Sequence, residues 1–312
     1  MSTDNNSIHL RAKGASMAGQ PIGFVGLGNM GGRMTRRLVA AGLSVLGLDT
    51  RPEVIAGCGA VAAGSLAQIA QSCDLVLLSL PDSHAVEAVV EGETGLLANA
   101  RKGQTIVDLS TAAPSSTRRL AARFADRGAI FVDAGISGGA AAAEKGTLTL
   151  MIGGPAGIDQ QLDPVFRHIA AKVVHMGASG NGHATKLLNN FLNAVTLAAT
   201  AEVMVAGRKA GLDLQQLLDV INSSSGVNFA SLNRFPHIIR GNYLEGGLTG
   251  KLMTKDIVLY TEMASELGIA SLNSAGPLAS FGLGTALGYG DQISNRVVDA
   301  IGDASGGVRV NG

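Results

Sequence analysis

The chain has no tryptophan, two cysteines and eight prolines, and aromatic side chains of any kind make up 4% of its 312 residues. Two thiols, Cys58 and Cys73, are too few for a disulfide framework or a thiolate metal site, so they are expected as inert buried side chains in a reducing compartment, the cytoplasm. His9, His84, His168, His175, His183 and His237 show no paired ligand spacing, and no metal is expected. Charge of either sign is in no excess: 24 Lys and Arg balance 24 Asp and Glu. That excludes the basic stripe which nucleic acid or an anionic membrane surface requires. Long hydrophobic runs are missing as well. The charge-free stretch between Lys186 and Glu202 has 15 residues and carries Asn189, Asn190 and Asn193, short of the roughly 20 that a membrane-spanning helix needs.

Glycine, by contrast, is abundant: 43 residues, roughly twice average usage, which predicts many tight turns and close backbone approaches. The length gives two domains at roughly 150 residues each. Residues 1–20 are polar, with Arg11 and Lys13 and no apolar run, and are expected as a disordered leader. From residue 22 onward, short apolar runs at 22–27, 44–48, 75–80, 105–109 and 130–134 alternate with helical patterns such as 30–41. This alternation predicts an α/β domain built on a parallel, doubly wound sheet. Further β-rich runs at 148–152 and 172–175, either side of a helical 156–166, extend the domain over 21–182. Beyond it, 183–210 reads as one long helix, apolar on nearly every face from Phe191 to Ala206 and therefore buried. Helical patterns at 214–221, 251–267, 277–287 and 293–301 make 183–312 an all-α second domain.

Gly26-Leu27-Gly28-Asn29-Met30-Gly31 is a G-x-G-x-x-G that follows a strand and opens a helix. That context makes it a dinucleotide-binding turn: Gly26 for the bend, Gly28 for close approach of a pyrophosphate, Gly31 for helix–strand packing. The second strand ends in Leu48-Asp49-Thr50-Arg51. Asp49 stands where the ribose 2′-hydroxyl of NAD would be read, whereas Arg51 suits the 2′-phosphate of NADP; the cofactor is NAD or NADP, with NAD favoured. Leu80-Pro81-Asp82 ends another strand at the carboxyl edge of the sheet, where ligands lie, although a plain turn accounts for Pro81 equally well.

Asp108-Leu109-Ser110-Thr111 closes a strand ahead of Pro114, and its hydroxyls either face a ligand or cap the next helix. In Asp133-Ala134-Gly135-Ile136-Ser137-Gly138-Gly139, a hydroxyl beside two glycines offers a cradle for a small carboxylate. The same stretch matches the G-x-S-x-G elbow of hydrolases, with Asp163 and His168 or His175 downstream, but that reading leaves the dinucleotide motif unexplained. Lys186 and Asn190 share one face at the head of the long helix. Next to apolar turns, Lys186 is placed for desolvation and proton transfer. Lys255-Asp256 forms a second candidate cleft pair, with a solvated surface pair as the bland alternative.

Taken together, these blocks resemble the β-hydroxyacid dehydrogenase family, which includes 3-hydroxyisobutyrate dehydrogenase, 2-hydroxy-3-oxopropionate (tartronate semialdehyde) reductase and, more distantly, 6-phosphogluconate dehydrogenase. The resemblance runs over about 21–300 and rests on Gly26 to Gly31, Asp108 to Thr111, Asp133 to Gly139, Gly180 to Asn190 and Lys255-Asp256, in the family's order and spacing. It implies Lys186 as general acid/base, Asn190 orienting the substrate hydroxyl, and Ser137, Gly138 and Gly139 binding the substrate carboxylate. Lys255 would line the same pocket and reach the cofactor, with Asp256 beside it and Leu80, Pro81, Ser110 and Thr111 near the nicotinamide. Family members pack the long helix against a partner subunit, which implies a homodimer or homotetramer. Two positions depart from the pattern: Gly135 stands where the family has Pro, and Leu248 where an aromatic commonly precedes the Lys-Asp pair. The expected activity is NAD(P)-dependent interconversion of a short β-hydroxyacid and its semialdehyde. The alternatives are a non-catalytic nucleotide reader or an imine reductase on the same fold, and the serine hydrolase.

Overall fold

Four-residue apolar strands joined by amphipathic helices need both faces of a sheet covered, and the computed structural model, which describes residues 20–312, has that arrangement. The expected leader lies outside the described residues, apart from Gln20. Strands β1 (Ile22–Val25), β2 (Val45–Leu48), β3 (Val61–Ala62), β4 (Leu75–Leu78), β5 (Thr105–Asp108), β6 (Ile130–Ser137), β7 (Leu148–Gly153) and β8 (Ala170–His175) form one sheet in the order β3-β2-β1-β4-β5-β6-β7-β8. Helices α1 (Gly31–Ala40), α2 (Pro52–Ala56), α3 (Leu66–Ser72), α4 (Ser83–Glu91) and α5 (Pro114–Ala125) supply the crossovers among the first six strands. Alternate residues of β1, β2, β4, β5 and β6 feed two separate cores. Phe24, Leu77, Val107 and Val132 pack under α1 with Met34 and Leu38, while Val25, Val76, Ile106 and Phe131 pack with Ile69 and Phe124 on the other face.

The sheet is not parallel throughout, as the sequence led us to expect. β1 to β6 pair in parallel, but β7 runs antiparallel to β6, and β8 then runs parallel to β7. The connection explains the reversal. Between β6 and β7 lies only α6 (Gly139–Lys145), seven residues, which span about 10 Å where the eight-residue β6 spans about 26 Å. The chain cannot return to the start of the strand, so it turns back. Between β7 and β8, residues 154–169 with α7 (Ile158–Phe166) are long enough for a parallel crossover.

Beyond the sheet the molecule is helical: α8 (Asn181–Lys209), α9 (Leu214–Asn222), α10 (Phe229–Asn233), α11 (Phe235–Ile238), α12 (Gly250–Glu266), α13 (Ala275–Ala286), a 3₁₀ turn (Ser294–Arg296) and α14 (Val297–Ala304). Phe191, Leu197, Ala201 and Met204 of α8 form the axis of a third core with Met253, Ile257, Phe281 and Val298, and Phe191 stacks on Tyr260 with centroids 3.7 Å apart. By length and composition α8 is apolar enough to cross a membrane, but 56% of its most apolar window is buried within the molecule. α10 and α11 were not foreseen, because helices of five and four residues are too short to show a period.

Candidate active site

At the carboxyl edge of β1, two glycines are dictated by packing and one is left open. A Cβ on Gly26, where φ is +87°, would lie 2.3 Å from the Ser79 carbonyl oxygen, and one on Gly31 would lie 1.9 Å from that of Gly26. At Gly28 the nearest atom is the mobile Nη2 of Arg51, 3.3 Å away, so the backbone there is open to a pyrophosphate. The α1 N-terminus after Asn29 and Met30 has no side-chain cap, which leaves its amides for an anion. These residues fit a dinucleotide.

Asp49 closes the loop from below: Oδ2 accepts the Leu27 N–H at 2.7 Å and Oδ1 the Arg51 N–H at 2.9 Å. Burial pushes the Asp49 carboxyl up, yet those two amides and the Arg51 guanidinium together hold it below the usual range. Beside Asp49-Thr50-Arg51 is a cavity of about 270 Å³ lined by Gly28, Asn29, Arg33, Arg36, Arg51 and Val54. Arg33 and Arg36, which the sequence reading did not single out, converge there on Glu144 of α6 at 2.6 and 3.0 Å. Their i, i+3 spacing on α1 was the available signal.

At the ends of β4 and β5, Ser110 Oγ accepts the Leu80 N–H at 2.9 Å and so ties the two loops together. The helix-capping reading of Ser110 and Thr111 fails, since the cap position of α5 is Ala113. Pro81 precedes Asp82, which caps α4 by accepting the Ala85 N–H at 2.9 Å.

The third part of the site is the face of β6. Asp133, Gly135 and Ser137 alternate onto one side of the strand, and α8 starts against them. Buried Asp133 accepts the N–H of Gly180 at 2.7 Å and of His183 at 2.9 Å, so a strand carboxylate caps a helix that has no cap of its own. A Cβ on Gly135 would lie 2.6 Å from Lys186 Cβ, and one on Gly182 would lie 2.3 Å from the Met151 carbonyl oxygen. His183 is fully buried, with Nδ1 2.8 Å from Thr117 Oγ1 and Nε2 3.2 Å from the Asp108 carbonyl oxygen. A carbonyl only accepts, so Nε2 carries a proton. Lys186 follows, half-buried. Desolvation lowers its ammonium, Asp256 raises it and Lys255 lowers it again, leaving a pKa of about 8.

One turn on, Asn190 Nδ2 donates to Asp256 Oδ2 at 2.5 Å. Because a carboxylate only accepts, this contact fixes which way the amide faces. Lys255 Nζ lies 3.2 Å from Asp256 Oδ1 and donates to the Thr111 carbonyl at 2.9 Å, across from α12 to the loop after β5. Lys186, Asn190, Lys255, Asp256 and Thr111 therefore converge, with Ser137 on the strand face that carries Lys186. Gly138 (φ +122°) and Gly139 (φ +68°) are exposed beyond it, and a Cβ on Gly139 would meet nothing within 4 Å. The hydrolase constellation does not assemble: Asp163 pairs with Arg167 on α7, and His175 Nε2 meets the Gly154 carbonyl at 2.9 Å.

Comparison with known proteins decides the family. Residues 21–177 match the model of the NAD binding domain of 6-phosphogluconate dehydrogenase, and residues 180–297 match that of the NAD-binding region of NADP-dependent 3-hydroxyisobutyrate dehydrogenase. The chain belongs to the β-hydroxyacid dehydrogenase family. Among its relatives, 2-(hydroxymethyl)glutarate dehydrogenase of Eubacterium barkeri is 34% identical over 93% of this chain and 97% of that protein. NAD-dependent L-serine dehydrogenase of Pseudomonas aeruginosa is 36% identical over 83% and 89%. The Mycobacterium tuberculosis 3-hydroxyisobutyrate dehydrogenase structure with L-serine superposes with a TM-score of 0.81 at 30% identity, covering 89% of this chain and 98% of that one. This β-hydroxyacid dehydrogenase is an NAD(P)-dependent oxidoreductase acting on a CH–OH group.

Proposed function

We propose that the enzyme interconverts a short 3-hydroxy carboxylate and its semialdehyde, with Lys186 as the general acid/base. Bound nicotinamide supplies or takes the hydride at the carbinol carbon. In the oxidative direction Lys186 Nζ takes the hydroxyl proton as the C–H electron pair leaves with the hydride, and in reduction it returns that proton to the carbonyl oxygen. Asn190, its amide fixed by Asp256, holds the substrate oxygen against Lys186. Ser137, Gly138 and Gly139 receive the carboxylate beyond it. Lys255 and Asp256 balance the charge around the ammonium and keep it near the point of titration. The observation that carries the reading is this amine, pulled to about 8 by burial where proton transfer in both directions works near neutral pH. The substrates in the relatives' names, 2-(hydroxymethyl)glutarate, L-serine and 3-hydroxyisobutyrate, each carry a hydroxymethyl group next to a carboxylate-bearing carbon, which supports the same class.

On cofactor choice, the sequence favours NAD through Asp49, whose two oxygens each accept one main-chain amide and keep lone pairs for a further donor. Three guanidinium groups, those of Arg33, Arg36 and Arg51, face the adjoining cavity against the two carboxylates of Asp49 and Glu144. This cationic excess supports NADP over NAD. Leu188, Leu192 and Val203 are exposed apolar side chains of α8, which supports burial of this helix against a second copy in a homodimer or homotetramer; light scattering on the purified protein checks it.

The deciding experiment follows nicotinamide absorbance for the purified protein on a panel of 3-hydroxyacids and their semialdehydes, each with NAD and with NADP. Turnover of one member with a preference for NADP is the expected result. Silence across the panel with cofactor binding intact would overturn the reading.

A further inference from the structure

Arg234 carries a charge that the mechanism above does not use. It sits between α10 and α11, only partly exposed. Its Nη2 donates to Asn193 Oδ1 of α8 at 2.9 Å and its Nη1 to Asn295 Oδ1 at 2.8 Å. Both acceptors are neutral amides. Among the described residues no carboxylate lies within ion-pair distance of it, whereas the nearby Arg296 is paired with both Asp299 and Glu245. Burial alone pulls the guanidinium down, to about 10, with no opposing charge to hold it up. A guanidinium has five N–H donors, so three remain after the two amides, enough for a bidentate grip on an anion.

The position is not arbitrary with respect to the active site. On α8, at roughly 100° per residue, Asn190 falls about 40° to one side of Lys186 and Asn193 about 20° to the other. Asn193 therefore continues the face that carries Lys186 and Asn190. On the opposite side, Ser294, next to Asn295, donates its N–H to the Leu248 carbonyl at 2.8 Å. The segment bearing Leu248 reaches the dinucleotide loop, where Asn29 Nδ2 donates to the Gly246 carbonyl at 3.3 Å. Arg234 thus bridges the substrate-facing side of α8 and the strap that closes toward the cofactor. Its partner Asn193 is seven residues past Lys186, roughly 10 Å along the helix axis.

We propose that Arg234 binds a second anionic group at the far end of the substrate, so that the enzyme selects 3-hydroxyacids carrying a distal carboxylate. The proposal rests on the reading of the active site above. The cradle at Ser137 to Gly139 holds the carboxylate next to the reacting carbon, Lys186 and Asn190 hold the hydroxyl, and Arg234 holds the other end of the chain. A substrate without that second charge leaves the guanidinium held by the two amides and the Phe229 ring, 5.7 Å away, but with no opposing charge, which is the basis of the selection.

The test uses two unreactive probes, glutarate and isobutyrate, titrated by calorimetry into the full-length enzyme saturated with reduced nicotinamide cofactor. Wild type is expected to bind glutarate at least about tenfold more tightly than isobutyrate, the discrimination of one charged hydrogen-bonded contact. Arg234→Gln is expected to weaken glutarate at least about tenfold more than isobutyrate, and Arg234→Lys, which keeps the charge, to retain part of the preference. Equal binding of the two probes by wild type, no glutarate binding at all, or an equal loss of both probes in Arg234→Gln would each overturn the proposal, the last by making Arg234 a purely structural tie between helices. Because neither probe reacts, these results stand apart from turnover on the hydroxyacid panel, which tests the dehydrogenase reading itself.

Discussion

Lys186 shows how burial can adjust one amine for chemistry. Its ordinary pKa of 10.5 falls to about 8, chiefly through desolvation. With the neutral amine as the proposed base for oxidation, kcat/KM in that direction should rise with pH as a single titration near pH 8 and level off above it. In the reductive direction it should fall through the same pH; flat profiles in stopped-flow or steady-state assays would contradict the assignment. The same shift has a stability consequence. A lysine whose folded pKa lies below its unfolded value costs stability, fully below about pH 8 and not at all above about pH 10.5. Lys186→Met is therefore expected to melt higher than wild type at pH 7, with the gain vanishing toward pH 10, while turnover falls by about 10² to 10⁴ and cofactor still binds. Arg51→Gln separates the cofactors: KM for NADP should rise at least about tenfold, the loss of one charged contact to the 2′-phosphate, with little change for NAD.

At the scale of elements, the relation of α8 to β6 places the Lys186 amine. Asp133 accepts the N–H groups of Gly180 and His183, and Gly135 and Gly182 have no side chains to hold the helix away from the strand. Asp133→Asn replaces one acceptor with a donor that faces an amide N–H, and should cost about 1–3 kcal/mol, read from the denaturant midpoint. Gly135→Ala inserts a methyl group 2.6 Å from Lys186 Cβ, so either the helix or the side chain must shift. The expected signature is a fall in kcat with cofactor affinity retained; equal loss of both would mean that the strand itself had been disrupted.

Across the whole molecule, two polar bridges between the sheet domain and the helices, Lys255 Nζ to the Thr111 carbonyl, 2.9 Å, and Asn29 Nδ2 to the Gly246 carbonyl, 3.3 Å, span the cleft. Lys255 is the more buried of these contacts and reaches the loop that Ser110 ties to Leu80. Lys255→Met should therefore raise KM for cofactor and substrate together, because closure of the cleft serves both sites, and leave the melting temperature within a few degrees, since each domain keeps its own core. A substrate-only effect would confine Lys255 to the substrate pocket.

Much of the fold was legible because it rests on local pattern. Four-residue apolar strands, the glycines of 26–31 and an apolar α8 each identify themselves within one window of sequence, and Lys186, Asn190, Lys255 and Asp256 were named from their places within such elements. The reversal of β7 was not legible: it depends on whether seven residues of α6 can span the sheet, a comparison of lengths between separate elements. Nor was the double cap by Asp133, made across 47 and 50 residues, the cluster of Arg33, Arg36 and Arg51 around one cavity, or Arg234 with two amides for partners, 41 and 61 residues away. The amino-acid sequence by itself determined the elements and the dinucleotide turn, since these follow from periodicity and from residue types at short spacing, and its resemblance to the family implied the class of chemistry. Only the tertiary structure decided which charges are paired and which are left open, because desolvation and distance, which set pKa and binding, exist only once remote segments have packed together.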